Sequence, residues 1–224
     1  GVVQYLAERD IGFPTPLKRI PIVSAAIVYD LMLGGSSSFP DAAMAYQACE
    51  SAGKGPIEQG NVGAGAGVTV GMWGGPLAMM KGGFGLARLV LGELEVGAAA
   101  VVNSFGDVVK DDGTVLAGAR DQEDGWLVNR FPWRQSSQDS PGLSITNTTL
   151  VVVTTNVIMD KVGVNLLAER AHDGLSIAVR PAHTTVDGDV SFALSTGKIE
   201  APLDLVGNLV VSAVIQAIQN GVLH

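Results

Sequence analysis

Thr146-Asn147-Thr148-Thr149-Leu150-Val151-Val152-Val153-Thr154-Thr155 is the stretch on which the reading of this chain turns. Its density of β-branched residues is the strongest strand signal in the sequence and predicts a core strand over 148–155. Before it lies the polar, charged segment 107–142, with Asp111-Asp112-Gly113 and the run Arg134-Gln135-Ser136-Ser137-Gln138-Asp139-Ser140-Pro141-Gly142. That composition predicts a mobile surface segment. A pliable run feeding a core strand through a threonine has a chemical reading. A threonine with a free α-amine can act as a nucleophile, because that amine titrates at about 7.7 to 8.0 and can take the hydroxyl proton. Such a threonine becomes an N-terminus only by cleavage. At the first residue of a rigid strand its hydroxyl is fixed while the new amine keeps room to move. Thr148 is the first hydroxyl that borders both the polar run and the strand. The competing reading is that threonine is simply a good strand former, and these residues alone leave both open.

The chain has 224 residues, 47% of them hydrophobic and 16% charged, with a mean hydropathy of +0.32. A disordered chain is excluded, since it would lack the apolar surface to offset its conformational entropy. The length fits one domain or at most two. A net charge of −8 and a pI of about 4.7 oppose association with a phosphate backbone, so nucleic acid is not an expected partner. No run reaches the ~18 uninterrupted apolar residues of a membrane span, and no leader pattern opens the chain. The expectation is a cytoplasmic protein without a membrane partner. A single cysteine, Cys49, rules out an internal disulfide and a Cys-rich zinc site, and reads as a buried small hydrophobe on a helix. His172, His183 and His224 lack HExxH spacing, and neither metal nor cofactor is expected.

Around the decisive strand, 84–91 and 96–103 read as neighbouring strands joined through 92–95. Helices are predicted over 160–172 and 203–222, with a strand over 190–193 after the Asp187-Gly188-Asp189 turn. Upstream, the pattern predicts a helix over 2–9, a strand buried on both faces over 21–30, and a helix after Pro40 with Asp41 at its start. Gly63, Gly65 and Gly67 have the wrong spacing for a dinucleotide loop and read as close backbone packing. Asp187-Gly188-Asp189 lacks the further oxygens of a calcium loop. Carboxylates two residues apart on an extended turn project to one side and can face one site, or they belong to a solvated hairpin. The chain opens without Met inside a helical pattern, as a fragment with its natural N-terminus upstream would.

Asn147-Thr148-Thr149-Leu150, then Thr155-Asn156, Ala171-His172-Asp173-Gly174-Leu175, Arg180-Pro181-Ala182-His183-Thr184 and Asp187-Gly188-Asp189 together resemble the L-aminopeptidase/D-esterase family of N-terminal-nucleophile hydrolases. That family includes the β-peptidyl aminopeptidases and the nylon-oligomer endo-amidases, and the Asn-Thr junction is similar to the latter branch. The likeness extends upstream through 21–30, Gly60-Asn61-Val62-Gly63-Ala64-Gly65 and Ala100-Val101-Val102-Asn103, nearly the whole chain.

The resemblance implies an α/β protein with a four-layer αββα sandwich. It implies one hydrolase domain over 1–224, lacking an upstream segment, that cuts itself between Asn147 and Thr148. By motif position the nucleophile is Thr148, Tyr29 and Asn103 contact the reacting carbonyl, and Asp187 and Asp189 are carboxylates around the nucleophile. Asn103 could donate an amide N–H to a developing oxyanion, and a carboxylate could hold the threonine in line. The implied substrate is a small peptide, amide or ester attacked through an acyl-enzyme, and the implied assembly is a homo-oligomer of processed units. In one departure, the nylon-type branch carries a lysine where this chain has Met72, with Lys81 the nearest lysine. An acyltransferase on the same scaffold, like the ornithine acetyltransferases, and an inactive binding scaffold are the alternative readings.

Overall fold

A computed structural model of the chain describes residues 1–31, 39–121, 123, 125–130 and 147–224. The run 134–142, expected to be mobile, lies outside the described residues. The chain forms two compact units, one of Gly1–Ile27 and Gly34–Ile57, the other of Val28–Leu33 and Glu58–His224.

The first unit holds α1 (Val2–Glu8), the short strands β1 (Phe13–Pro14) and β2 (Arg19–Ile20), and α2 (Ala42–Ser51). The Asp41 carboxylate accepts the Met44 N–H at 2.8 Å, capping α2 as its position in the sequence suggests. Tyr5 and Tyr46 meet edge to face at 5.4 Å, and the Arg9 guanidinium lies 3.6 Å from the Tyr5 ring centre. Cys49 is half-buried, where burial was expected. The expected strand over 21–30 is not formed: Ile22 and Ile27 are 77% and 87% exposed. An apolar run supplies the side chains of a buried strand but not its hydrogen-bonding neighbour, and none of the described residues pairs with it.

The second unit is built on a four-stranded sheet. Its strands are β5 (Gly83–Leu91), β6 (Leu94–Asn103), β9 (Thr148–Val157) and β11 (Val190–Ile199), in the order β11-β9-β6-β5. The smaller strands are β3 (Thr69–Val70), β4 (Met80–Lys81), β7 (Asp107–Val109), β8 (Val115–Ala117) and β10 (Val179–Arg180), and the helices are α3 (Leu127–Arg130), α4 (Lys161–Ala178) and α5 (Leu203–Leu223). β5 and β6 form the expected hairpin, turning through Gly92 at φ +60°, a conformation glycine adopts without steric cost. β9 runs antiparallel to β6 and, after α4, parallel to β11.

Strand alternation sorts the side chains. Val96, Ala98, Ala100 and Val102 of β6 and Val151, Val153 and Val157 of β9 face α4 and α5. These helices return Leu167, Ala171 and Leu175, and Val206, Val210, Val214 and Ile218, making one helix layer on one sheet layer. By length and hydropathy α5 could cross a membrane, but it spends its apolar side on β5, β6 and α4. The opposite sheet face carries an open hollow of about 370 Å³ lined by Leu86, Arg88, Ala99, Val152 and Thr154.

Part of the segment read as polar surface is core. Asp107, Val108 and Val109 are fully buried in β7, which pairs with β8 and β10. The Asp107 carboxylate enters the interior because it accepts the Trp73 indole N–H at 2.8 Å and the Ala119 N–H at 2.7 Å. The glycine alternation forms a 3-10 turn, Gly63–Gly65, and a side chain on Gly65 would strike the backbone of Phe84 and Gly60.

On β5, Gly85 lets the α5 backbone approach. A Cβ there would collide with the Ala217 carbonyl and the Gly221 N–H, neither of which can swing aside. Gly85→Ala should therefore lower stability by about 2 kcal/mol, the usual scale of overpacking. Gly125→Ala, whose methyl would meet nothing within 4 Å, should stay within about 0.5 kcal/mol of wild type. Urea unfolding measures both, and equal effects would contradict the close approach.

Candidate active site

The last residue of β6 and the first of β9 are register partners, so Asn103 and Thr148 stand directly opposite each other. Their neighbours Val102 and Thr149, also partners, take the helix side, so Asn103 and Thr148 project from the other face. Both are buried, at 3% and 7% exposure.

Asn147, the residue before Thr148, is held by both of its main-chain polar groups. Asn147 forms a parallel bridge with Asp187, and its N–H donates to the Val186 carbonyl at 3.0 Å. Its own carbonyl accepts the Gly188 N–H at 2.7 Å and the Thr148 hydroxyl at 2.6 Å. Gly188, which reads from sequence only as a turn residue, also leaves room for the hydroxyl. A Cβ at that position would lie 3.2 Å from Thr148 Oγ1.

The two aspartates flank Gly188 but reach different donors. Asp187 Oδ2 accepts the Thr184 N–H at 2.9 Å and its hydroxyl at 2.7 Å, while Oδ1 faces the Phe105 N–H at 3.4 Å. Burial, against the pull of the Thr184 hydrogen bonds, pushes the Asp187 carboxyl above its ordinary range. Asp189 Oδ1 accepts the Thr149 N–H at 2.8 Å, and Oδ2 meets His183 Nδ1 at 2.9 Å. Each carboxyl anchors a different segment. Asp187 closes its own turn, and Asp189 ties that turn to the strand. Among the described hydrogen bonds, neither carboxylate contacts the Thr148 hydroxyl.

Asn103 is oriented by its own bonds. Oδ1 accepts the Thr69 N–H at 3.0 Å, so Nδ2 is the donor end, and it gives one N–H to the Tyr29 carbonyl at 3.1 Å. Tyr29 thus enters the site through its main chain, while its side chain contributes to a residue exposure of 45%. Met72 is buried in a 3-10 turn, Met72–Gly74, whose thioether can neither carry nor donate a proton as a lysine would. The Lys81 ammonium is engaged by the Ala66 carbonyl. Chemically, the site offers a hydroxyl beside a carbonyl that the Gly188 N–H also polarises, an oriented amide across the strand pair, and two carboxyls that fix the turn. Among the described residues, no group of three or more His, Cys, Asp or Glu side chains is placed to hold a metal ion.

The chain is 37% identical over 218 residues to an uncharacterized aminopeptidase of Mycobacterium leprae, covering 90% of this chain and 56% of that protein. It is 32% identical over 207 residues to a 6-aminohexanoate-oligomer endohydrolase of Paenarthrobacter ureafaciens, covering 90% of this chain and 57% of that one. It therefore spans a little over half the length of these curated relatives. Among solved structures, the L-aminopeptidase D-Ala-esterase/amidase of Ochrobactrum anthropi matches with a TM-score of 0.55 and 21% identity, over 80% of this chain and 48% of that one. That protein has a variant of the N-terminal-nucleophile hydrolase fold, and the likeness gives this chain the same kind of α/β sandwich, of which α4–α5 and the four-stranded sheet are one helix layer and one sheet layer. The profile of Peptidase family S58 matches from residue 1 to residue 224, so the chain with the Asn103–Thr148 pair at its centre belongs to Peptidase family S58.

Proposed function

We propose that the protein is a self-processing amidohydrolase whose nucleophile is Thr148. The observation that carries this reading is the Asn147 carbonyl, which receives both the Thr148 hydroxyl and the Gly188 N–H. In the first step Thr148 Oγ1 adds to that carbonyl carbon and the carbon–nitrogen bond breaks. The hydroxyl proton passes to the departing nitrogen, leaving an ester and a free α-amine on Thr148. Water then hydrolyses the ester to an Asn147 carboxylate. The Gly188 N–H lies where the negative charge of the intermediate would develop, the role of an oxyanion donor.

After cleavage the Thr148 amine serves as the base for its own hydroxyl. The substrate is a peptide or linear amide, as the names of the relatives suggest. Its carbonyl is attacked to give an acyl-enzyme, which water releases. Asn103, opposite Thr148, has a second Nδ2 N–H to offer the substrate oxyanion. Asp187 and Asp189 keep the Gly188 N–H and the start of β9 in place.

Mass spectrometry of the aged protein should show pieces of 147 and 77 residues from this stretch of chain. Thr148→Ala should abolish both the cut and all turnover, tested with p-nitroanilides, β-peptides and 6-aminohexanoate oligomers, because both steps use one hydroxyl. Thr148→Ser should retain some of each. An alanine variant that still cuts itself would place the nucleophile elsewhere.

Asp187 sets an acid limit. With its pKa raised in the folded chain, the folded state binds more protons than the unfolded one just above the ordinary value of 3.8. Its contribution to stability is full below that value and is lost as pH rises through the raised pKa. Turnover runs the other way if the ionised carboxylate is needed to hold Thr184 and Phe105. kcat/KM should then fall on acidification with a midpoint above 3.8, and Asp187→Asn should remove that limb. A limb unchanged in the variant would assign it to another group.

A further inference from the structure

Asp189 carries the strand end on one oxygen, and its second oxygen belongs to a histidine that the reaction scheme does not use. His183 Nδ1 lies 2.9 Å from Asp189 Oδ2, and the His183 main-chain N–H reaches the same oxygen at 3.3 Å. The Asp189 side chain is only 4% exposed, whereas that of His183 is 38% exposed. The His183 ring, the more exposed of the two, also meets the His172 ring of α4, with centres 4.9 Å apart and planes tilted by 57°. The result is a continuous series from α4 to the nucleophile strand: His172, His183, Asp189 and the Thr149 N–H.

A carboxylate only accepts hydrogen bonds, so the contact requires a proton on His183 Nδ1. Burial and the neighbouring His183 push the His172 imidazole below its ordinary range, against the opposing pull of Asp189 and Asp173. Asp173 is itself paired with Arg170 at 2.7 Å. The His172 ring is thereby biased to the neutral form, and the His183 Nδ1–H donates a hydrogen bond to Asp189. His183 also holds a left-handed backbone, φ +55°, a region uncommon outside glycine but one that asparagine, aspartate and histidine enter more readily than other residues. A chain that folds its histidine back in this way brings Nδ1 and the main-chain N–H to one carboxylate oxygen.

From this geometry we propose that His183 is a positioning residue for Thr148, acting by clamping Asp189 so that its other oxygen fixes the Thr149 N–H. Without the imidazole, Asp189 Oδ2 keeps only the main-chain N–H of residue 183 at 3.3 Å, so the carboxylate and the Thr149 N–H on its other oxygen are held less firmly beside Thr148. The nucleophile is then present but misplaced, which slows attack on the Asn147 carbonyl. The proposal rests on the reading of Thr148 as the nucleophile.

The backbone conformation selects the variants that test it. Glycine and asparagine both tolerate φ +55°, but only asparagine offers a side-chain N–H near the place of Nδ1. His183→Gly and His183→Asn, made in the whole protein, are followed by intact mass spectrometry from the moment of synthesis. The glycine variant should cut itself slower by about tenfold or more, the equivalent of one charge-assisted hydrogen bond. The asparagine variant should stay within about threefold of wild type. Placed in the uncut Thr148→Ala background, the two variants should melt within about 2 °C of each other, a difference of less than ~1 kcal/mol for a chain of this size. Equal slowing in both, wild-type rates in both, or a glycine variant that melts far below the asparagine one would each overturn the proposal. Self-cleavage by Thr148→Ala alone would instead overturn the nucleophile reading on which it stands.

Discussion

The hydrogen bond from the Gly188 N–H to the Asn147 carbonyl, 2.7 Å long, is the contact around which the site is arranged. It docks the 184–189 turn against Asn147, the residue just before β9, and the flanking carboxylates inherit their places from it. Asp187 then closes the turn on Thr184, and Asp189 reaches across to the Thr149 N–H. The bond depends in turn on β11 lying parallel to β9, since that topology carries the segment between α4 and β11 back to the end of the sheet where β9 begins. An antiparallel connection would bring the turn to the opposite end. The site therefore follows from a β-α-β crossover as much as from any single side chain.

Much of this architecture is legible from residue type. The threonine and valine run, the glycine-turned hairpin and the two long helices announce themselves in the sequence, although α4 continues to Ala178, past its expected end at 172, and Asn103 and Thr148 stand at the strand ends where sequence reasoning put them. What escaped it has a common physical origin. A main-chain N–H is the same in every residue but proline, so the donor at Gly188 leaves no compositional mark. The clamp on Asp189 depends on a backbone torsion at His183 that no side-chain pattern encodes. Buried Asp107 misled for the converse reason. A carboxylate reads as surface until its donors, Trp73 and the Ala119 N–H, are known, and these are brought in by the fold.

The segment 21–30 makes the same point from the apolar side. Hydrophobicity marks what a strand would bury, but pairing is a property of two segments, and the run finds no ladder among the described residues. Tyr29 shows how such a segment can still matter, because it offers Asn103 a carbonyl oxygen rather than a phenol. The position is then specified by the path of the chain.

Thr148 and Thr149 are chemically identical neighbours with opposite fates. Thr148 shows its hydroxyl to the Asn147 carbonyl, whereas Thr149 is fully buried with its hydroxyl unpartnered among the described residues. The pleat makes the distinction a matter of parity: odd and even positions of β9 look into different media, one toward a polarised carbonyl and one toward packed aliphatic side chains. A one-residue insertion upstream of the strand would leave every functional group in the protein intact and hand the leading place to the wrong hydroxyl only if the ladder with β6 slipped with it. The nine consecutive register pairs of the β5–β6 hairpin, set by a tight turn, hold β6 as the fixed rail against which that count is made. The fidelity of the reactive centre is thus a counting problem solved by a hairpin turn far from the chemistry.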